Sequence, residues 1–280
     1  GIVMRLTTEV AVDGVYIDQI GAAAPRLCMD ATHGHPLGGG HWWTQDGYWP
    51  MLTDLQARLP EGKMITTECN AEPYVRWFDG YLTWHWQHQD MVPAFSAIYA
   101  GRIQLFSRAY GGNDQQAHCM KIGQQLVFGE QLGWLEPASI LPHEDTADFM
   151  RRAAQLRYRL LDFLAWGRMG RPPRVEGNIP EVTADWAWYG KWMVTDSALQ
   201  RGAWWARDGR LLLVFANTSS EPVSAELVFD PRTYGWPGDA RLTVAEQNLQ
   251  GAGQPVVETG RFRRSLELPA RGLLALVVQR

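Results

Sequence analysis

The chain has few cysteines, no long apolar run and no excess of basic residues. Its 280 residues include only Cys28, Cys69 and Cys119, whose odd number and wide spacing argue against a disulfide framework and against a paired metal-ligand motif. No apolar run approaches the roughly 20 residues that cross a bilayer, and no charged leader precedes an apolar segment, so no membrane partner is predicted. The formal net charge of -4, without a basic stretch interleaved with aromatics, argues against a nucleic-acid partner. The sequence does not indicate the cellular compartment.

Tryptophan, in contrast, is abundant. The chain has 14 tryptophans, with pairs at Trp42-Trp43 and Trp204-Trp205. A flat apolar ring with an N–H donor suits the C–H face of a sugar. Most of these rings are expected in the core, and a few are expected to face a carbohydrate, which is the predicted partner.

Two short β-forming runs end in a carboxylate. Val15-Tyr16-Ile17 leads to Asp18, and Met64-Ile65-Thr66-Thr67 leads to Glu68. Parallel barrel strands deliver acids in this way to the face where barrel enzymes carry out chemistry. Two such acids favour glycoside hydrolysis, which needs one carboxyl group to protonate the leaving oxygen and another at the anomeric centre. For either acid alone, capping of the next helix is an equally good interpretation.

Strand-like and helix-like stretches alternate up to residue 173, and short strands with tight turns follow. The predicted fold class is therefore α/β, with the C-terminal part of a (β/α)8 TIM barrel in residues 1–173 and an antiparallel β-sandwich in residues 174–280. In the first part, strands are predicted at residues 15–18, 64–68, 81–86 and within 94–106, and helices at 46–59, 114–128 and 145–165. In the second part, Asp208-Gly209 between two β runs predicts a hairpin.

Only about four or five strand–helix units precede the sandwich, whereas a closed barrel has eight. We therefore expect this chain to be part of a longer enzyme. The expected protein partner is the missing N-terminal half of the barrel or a second copy of the chain.

A glycine-rich loop follows the strand that ends near Asp18. Its side chains suit sugar binding by hydrogen bonds and stacking, and loops on this side of a barrel build the substrate pocket. The candidates for sugar binding in this loop are Asp30, His33, His35, His41, Trp42 and Trp43. Asp30 and the three histidines are also chemically suited to hold a metal ion, although no familiar zinc spacing is present. The favoured interpretation needs neither a metal nor another cofactor.

Further candidates follow the next strands. Glu72, Trp84 and Arg108 are predicted to line the sugar pocket, although salt bridging is the alternative for Arg108. Cys69 is predicted to be a packed thiol. Other acids and histidines near the third predicted strand also remain open as pocket residues: Asp79, His85, His88 and Asp90.

Three segments resemble a poorly characterised bacterial family of TIM-barrel glycoside hydrolases. They are Val15-Tyr16-Ile17-Asp18-Gln19-Ile20, the loop Cys28-x-Asp30-x-x-His33-Gly34-His35-Pro36, and Thr67-Glu68-x-x-Ala71-Glu72. The family is distantly similar to α-galactosidase-like and endo-α-N-acetylgalactosaminidase-like enzymes, which carry a β-sandwich after the barrel. The resemblance implies that Asp18, after the fourth barrel strand, is the nucleophile. It matches Glu68 to the proton donor, which some relatives place one strand further on.

The sequence therefore predicts a retaining glycoside hydrolase for an α-linked glycan, with Asp18 as nucleophile and Glu68 as general acid and base. Two alternatives stay open. One is a non-catalytic carbohydrate-binding fragment, and the other is a metal-dependent hydrolase that uses Asp30, His33, His35 and His41. The sugar, its linkage, and exo- or endo-action do not follow from the sequence.

Overall fold

The chain forms two compact units, residues 1–84 and 85–280. The structure is a computed structural model, and it describes residues 1–24, 26–38, 42–84, 91–187 and 190–280. The side chain of Trp42 lies outside this description. The domain boundary predicted after residue 173 stays a prediction.

Three parallel strands form the sheet of the first unit: β1 (Gly14–Tyr16), β2 (Met64–Glu68) and β3 (Gly80–Leu82). Tyr16 lies opposite Thr66, and Thr66 lies opposite Gly80. The predicted second strand is confirmed with its bounds. The first strand is shorter than predicted, so that Asp18 lies in the turn that follows it, and the third begins at Gly80 and ends before Trp84.

The helices of the first unit are α1 (Ile2–Thr8) and α2 (Trp49–Arg58), with a π-helical segment, Trp42–Tyr48, leading into α2. The helix predicted at residues 46–59 therefore begins earlier and changes its winding at Trp49. Helix α2 buries Leu52 completely. Its Thr53 hydroxyl accepts a hydrogen bond of 3.0 Å from the Trp77 indole, which fixes the helix to the segment after β2.

The second unit begins with the short helix α3 (Ala94–Tyr99) and strand β4 (Gln104–Phe106). The strand predicted within residues 94–106 is confirmed at Gln104–Phe106, and the first part of that range forms α3. Gln131 forms a parallel bridge with Phe106, so that a second parallel segment lies beside β4. The remaining helices are α4 (Gln115–Val127), α5 (Pro137–Ile140), α6 (Glu144–Arg159) and α7 (Leu161–Leu164).

Helix α4 confirms the prediction at residues 114–128. The Asp114 carboxylate caps its N-terminus by accepting hydrogen bonds from the backbone N–H groups of Gln116 and Ala117. The long helix predicted at 145–165 is divided at Leu160, where α6 ends and α7 begins.

The rest of the second unit consists of short strands: β5 (Arg168–Gly170), β6 (Arg174–Glu176), β7 (Glu181–Asp185), β8 (Met193–Ser197), β9 (Leu199–Trp205), β10 (Leu211–Asn217), β11 (Val223–Phe229), β12 (Arg241–Asn248), β13 (Gly251–Ala252), β14 (Val256–Thr259), β15 (Phe262–Leu268) and β16 (Leu273–Gln279). The larger sheet has the order β13-β12-β16-β10-β9-β5, with β14 also paired to β12, and a smaller sheet has the order β15-β11-β6. Both are antiparallel. The predicted hairpin is confirmed, since β9 and β10 pair across the Asp208-Gly209 turn.

The larger sheet is covered on both faces. On one face, Leu213 and Phe215 of β10 share a core with Leu227 of the smaller sheet. On the other face, Leu212 and Val214 share a core with residues of α4 and α6. Every residue of β10 is therefore buried, and the strand shows no alternation of apolar and polar residues. No helix in the described part of the chain has the length and hydropathy of a membrane span.

Candidate active site

The Tyr16 hydroxyl links the two acids that the sequence singled out. Its oxygen lies 3.1 Å from Asp18 Oδ1 and 3.2 Å from Glu68 Oε2. Asp18 and Tyr16 are exposed, and Glu68 is half-buried. The structure therefore brings Asp18 and Glu68 to one cluster on the first unit. Tyr16 was missed as a functional residue, because its contact with both acids depends on the register of β1 and β2.

Strand geometry explains this convergence. Tyr16 lies opposite Thr66 in the parallel pair of β1 and β2, so their side chains leave the sheet on the same face. Glu68 lies two residues after Thr66, and alternate residues of a strand share a face. The backbone N–H of Ile17 also donates to the Thr66 carbonyl at 2.7 Å, which extends the pairing towards Asp18.

The backbone turns sharply directly after each acid. Gln19 and Cys69 both have left-handed conformations, with φ of 62° and 57°. Such a conformation costs a non-glycine residue about 1–2 kcal/mol. The turn after Asp18 lies against the end of β2, because the Gly21 N–H donates to the Thr67 hydroxyl at 3.4 Å. Packing between the two strand ends thus holds both acids where the chain leaves the sheet.

The surroundings of the two acids keep the Tyr16 phenol and the Cys69 thiol protonated at neutral pH. Desolvation, followed by the negative charges and hydrogen bonds of Glu68 and Asp18, raises the pKa of the Tyr16 phenol far above its usual value. Tyr16 therefore stays a neutral hydroxyl. Desolvation and the nearby Glu68 raise the pKa of the Cys69 thiol to about 11, against a smaller opposing effect of a hydrogen bond with Trp84. A thiol with this pKa is a poor nucleophile at neutral pH, which agrees with the packed thiol predicted for Cys69.

Trp84 and Asn70 lie near the same strand ends. Trp84 follows β3 and lies near enough to the Cys69 thiol to affect its pKa. Both amide atoms of Asn70 are buried and have no hydrogen-bond partner among the described residues. Buried amides are normally paired, so Asn70 is a candidate ligand contact that the sequence analysis missed. Glu72 is exposed and opens the 3₁₀ turn Glu72–Tyr74.

The glycine-rich loop forms its own cluster. His33 lies between Cys28 and Asp30, with its Nδ1 3.2 Å from Cys28 Sγ and its Nε2 3.1 Å from Asp30 Oδ2. His35 Nδ1 lies 2.9 Å from the Pro36 carbonyl oxygen. Hydrogen bonds from Thr32 lower the pKa of Asp30. Cys28, which the sequence spacing left outside every metal motif, is therefore part of a group with His33 and His35.

Arg108 has a structural environment. Its guanidinium is fully buried in the second unit and forms two hydrogen bonds of 2.8 Å with the Glu130 carboxylate. A third bond of 2.8 Å joins it to the Gln124 side-chain oxygen. The structure supports the salt-bridge alternative for Arg108, because these donors are directed at buried partners, and sugar binding by Arg108 stays a prediction.

The remaining candidates differ in their surroundings. Asp79 precedes β3 and accepts a 2.9 Å hydrogen bond from the Ile65 N–H, so it lies at the strand end opposite to the acids and is removed from the site. Trp43 packs edge-on against Tyr48, with ring centroids 5.3 Å apart. The candidates His41, His85, His88 and Asp90 and the side chain of Trp42 lie outside the described residues.

Comparisons with known proteins agree with the resemblance seen in the sequence. Residues 1–110 match the family described as "Domain of unknown function (DUF6259)". A protein of Bacteroides thetaiotaomicron named "Putative glycoside hydrolase" is 35% identical over 60% of this chain. A protein of Monosiga brevicollis named "Putative glycoside hydrolase 22789" is 31% identical over 64% of it. The chain spans 26% and 18% of the lengths of these two relatives.

The fold also has a counterpart among solved structures. The crystal structure of α-galactosidase I from Mortierella vinacea superposes with a TM-score of 0.56, at 10% identity, over 99% of this chain and 70% of that one. At this identity the likeness concerns the fold, which is mixed α/β with a sheet-rich C-terminal part. The resemblance to glycoside hydrolases that the sequence predicted is thus confirmed by the curated relatives.

Proposed function

We propose that the protein carrying this chain is a retaining glycoside hydrolase that cleaves an α-linked glycan. Asp18 is the nucleophile, and Glu68 is the general acid and then the general base. The observation that carries the proposal is the contact of both carboxylates with the single hydroxyl of Tyr16.

The distances favour retention over inversion. Asp18 Oδ1 and Glu68 Oε2 lie 3.1 and 3.2 Å from one oxygen, so they cannot be farther apart than the sum of these two distances. That limit applies to the nearest oxygens of the two groups, and it is closer to the separation in retaining enzymes than to most of the range of about 6.5–9.5 Å in inverting enzymes, which must fit a water between the acids. Retaining enzymes bring the two groups to about 5–5.5 Å.

The shared Tyr16 hydroxyl is compatible with different roles for the two acids. A phenol has one proton, so Tyr16 donates to only one carboxylate at a time. Both contacts are hydrogen bonds only when the other carboxyl group carries a proton and donates it to the phenol oxygen. A protonated Glu68 and an ionised Asp18 satisfy this condition, and they are the forms in which a retaining enzyme begins its cycle.

The proposed reaction has two steps. In the first, Asp18 attacks the anomeric carbon while the Glu68 proton moves to the glycosidic oxygen, so that the C–O bond breaks and a glycosyl ester forms. In the second, Glu68 takes a proton from a water whose oxygen attacks the same carbon and releases Asp18. Before the attack, the Tyr16 hydroxyl donates a hydrogen bond to Asp18 and holds the two carboxyl groups close together.

The architecture proposed around this site is the later part of a (β/α)8 barrel. Parallel strands β1, β2 and β3 carry Asp18, Glu68 and Trp84 at or just beyond their carboxyl ends, where barrel enzymes place their catalytic groups. We place Trp84 and Asn70 at the sugar, by stacking and by hydrogen bonding respectively. Sugar binding by Asp30, His33, His35, Glu72 and Trp43 stays a prediction.

The test uses aryl α-glycosides and azide rescue of the protein as its gene encodes it. We expect Asp18→Gly and Glu68→Ala to lose turnover, the latter by about 10²–10⁴-fold for substrates that need acid catalysis. Azide should restore turnover in both variants. It should give a β-glycosyl azide with Asp18→Gly, because azide replaces the nucleophile, and an α-glycosyl azide with Glu68→Ala, because it intercepts the glycosyl-enzyme.

Each acid can fail separately in this test. Wild-type turnover in either variant would remove that residue from the mechanism. The same azide anomer from both variants would contradict the division of roles. Exposed Glu61, in the turn before β2, offers a control, since Glu61→Gln should retain turnover of the same aryl glycosides.

A further inference from the structure

We propose that Cys28, His33 and His35 form a zinc site within the glycine-rich loop. One potential ligand atom from each of these residues lies within 4.8 Å of the other two. In tetrahedral zinc sites, Zn–S bonds of about 2.3 Å and Zn–N bonds of about 2.0–2.1 Å place sulfur and nitrogen roughly 3.5 Å apart. The Cys28 Sγ to His33 Nδ1 distance of 3.2 Å is close to that spacing.

The second nitrogen of His33 supports the proposal independently. Metal-binding histidines nearly always donate their other ring N–H to a carboxylate or a backbone carbonyl, which fixes the tautomer and ring orientation. His33 Nε2 lies 3.1 Å from Asp30 Oδ2. Asp30 is itself held by the backbone N–H and the hydroxyl of Thr32, at 2.8 and 2.6 Å. This is the carboxylate–histidine–metal arrangement, with Nδ1 directed towards the cysteine.

His35 shows the same division between its two nitrogens. Its Nδ1 lies 2.9 Å from the Pro36 carbonyl oxygen, a common partner for the non-ligating N–H of a metal-binding histidine. In the proposed site Nε2 is therefore the ligand atom of His35. The rings of His33 and His35 lie 5.7 Å apart with an interplanar angle of 59°.

The loop backbone is built to hold these side chains together. Cys28 and Gly38 exchange backbone hydrogen bonds of 3.4 and 2.7 Å, which close the loop at its base. Asp30 caps the 3₁₀ turn Ala31–His33, and Gly34 follows with a left-handed φ of 75°. That turn returns the chain so that His35 lies beside His33. A metal ion would cross-link a loop whose ends are already joined by backbone hydrogen bonds.

The donor set selects the metal. One thiolate and two imidazoles are soft to intermediate ligands and favour zinc over magnesium or calcium, which prefer oxygen. Binding converts the Cys28 thiol to a thiolate and releases its proton to solvent. Three protein ligands leave the fourth tetrahedral position for water. The proposed site shares no residue with the proposed pair of acids, and it does not depend on the proposed hydrolysis.

The test is metal binding by the folded protein, with cobalt as a spectroscopic probe. We expect one equivalent of zinc by elemental analysis of protein purified without chelator. Replacement by Co²⁺ should give the thiolate-to-cobalt charge-transfer band of a cysteine ligand. Cys28→Ser should remove this band and weaken Zn²⁺ binding at least tenfold. The matched control, Cys69→Ser, removes another half-buried thiol and should leave both unchanged.

Two further variants test the histidines and their support. His35→Gln should abolish stoichiometric binding, whereas His143→Gln, at an exposed histidine outside the loop, should not. Asp30→Asn should weaken binding by about 10–100-fold, as loss of an outer carboxylate does in other sites. Absence of stoichiometric zinc and cobalt in the wild-type protein would overturn the proposal. So would a charge-transfer band that survives Cys28→Ser.

Discussion

Gly21 lies against the main-chain carbonyl of Glu68 so closely that a β-carbon on Gly21 would be 2.3 Å from the carbonyl oxygen. It would also lie 2.8 Å from the Cys69 carbonyl oxygen. Both obstacles are backbone atoms, which no side-chain rotation can move. The turn that follows Asp18 is thus joined to the end of the strand that carries Glu68, and only glycine fits at the contact.

We therefore predict that Gly21→Ala separates the two acids. Forced overpacking of this kind costs about 1–3 kcal/mol of folding free energy. Chemical denaturation should report that loss, and turnover of aryl glycosides should fall because the carboxylates move apart. Gly253→Ala is the control, since its β-carbon would meet its nearest atom at 3.5 Å, an ordinary contact. Equal stability and activity in the two variants would contradict the role of Gly21.

Tyr16→Phe is predicted to lower kcat with little change in KM. The variant keeps the ring and loses only the hydroxyl shared by Asp18 and Glu68. A hydrogen bond to a charged group contributes about 1.5–3 kcal/mol, which corresponds to roughly a 10- to 100-fold lower kcat. Tyr158→Phe, at a tyrosine that is 75% exposed on α6, should leave kcat unchanged. A rise in KM alone would show that Tyr16 binds substrate and does not position the acids.

Arg108 and Glu130 are predicted to matter for stability and not for substrate affinity. Arg108→Met leaves a buried carboxylate without its counter-ion, which typically costs about 3–5 kcal/mol. The double variant Arg108→Met/Glu130→Met removes both charges and should be more stable than Arg108→Met alone. Denaturant titrations of the two single variants and the double variant measure this coupling. Additive losses of unfolding free energy would contradict the coupling of Arg108 and Glu130. A KM that changes with Arg108 while stability does not would support the sugar-binding prediction.

Lys121 is predicted to make stability depend on pH. Its ammonium group is buried, donates to the Trp186 carbonyl at 3.1 Å, and has its pKa lowered by desolvation to about 7. The unfolded chain, with an ordinary lysine pKa near 10.5, binds the proton more tightly than the folded protein between pH 7 and 10.5. The free energy of unfolding should therefore rise with pH in that window, relative to Lys121→Met. If the difference in unfolding free energy between the wild-type protein and Lys121→Met did not change with pH across this range, the lowered pKa of Lys121 would be contradicted.

Much of the secondary structure follows from local sequence. Strand 64–68, helix 115–127 and the hairpin at Asp208-Gly209 were predictable because each has its own signal: a β-branched run that ends in an acid, an Asp cap, and a turn pair. Within residues 94–106 the sequence did not fix where the strand lies, because apolar stretches of this length suit a helix and a strand equally well, and the structure has a helix first and the strand at the end.

The two acids of the site were predictable from the sequence. The contacts that hold them together were not. Asp18 and Glu68 carry a strand-end signal. Tyr16 becomes informative only once the register of β1 and β2 is known, since one residue of slip would reverse its face. Cys28 and Arg108 depend on partners brought close by loop and helix packing, and sequence spacing does not reveal them.

The double covering of β10 limits where the second unit can be divided. A fragment that began at residue 174 would lack α4 and α6, and the face that carries Leu212 and Val214 would meet water. Expression of the C-terminal strands on their own should accordingly yield an aggregating product, whereas a fragment that starts upstream of Gln115 keeps both coverings of the central strand.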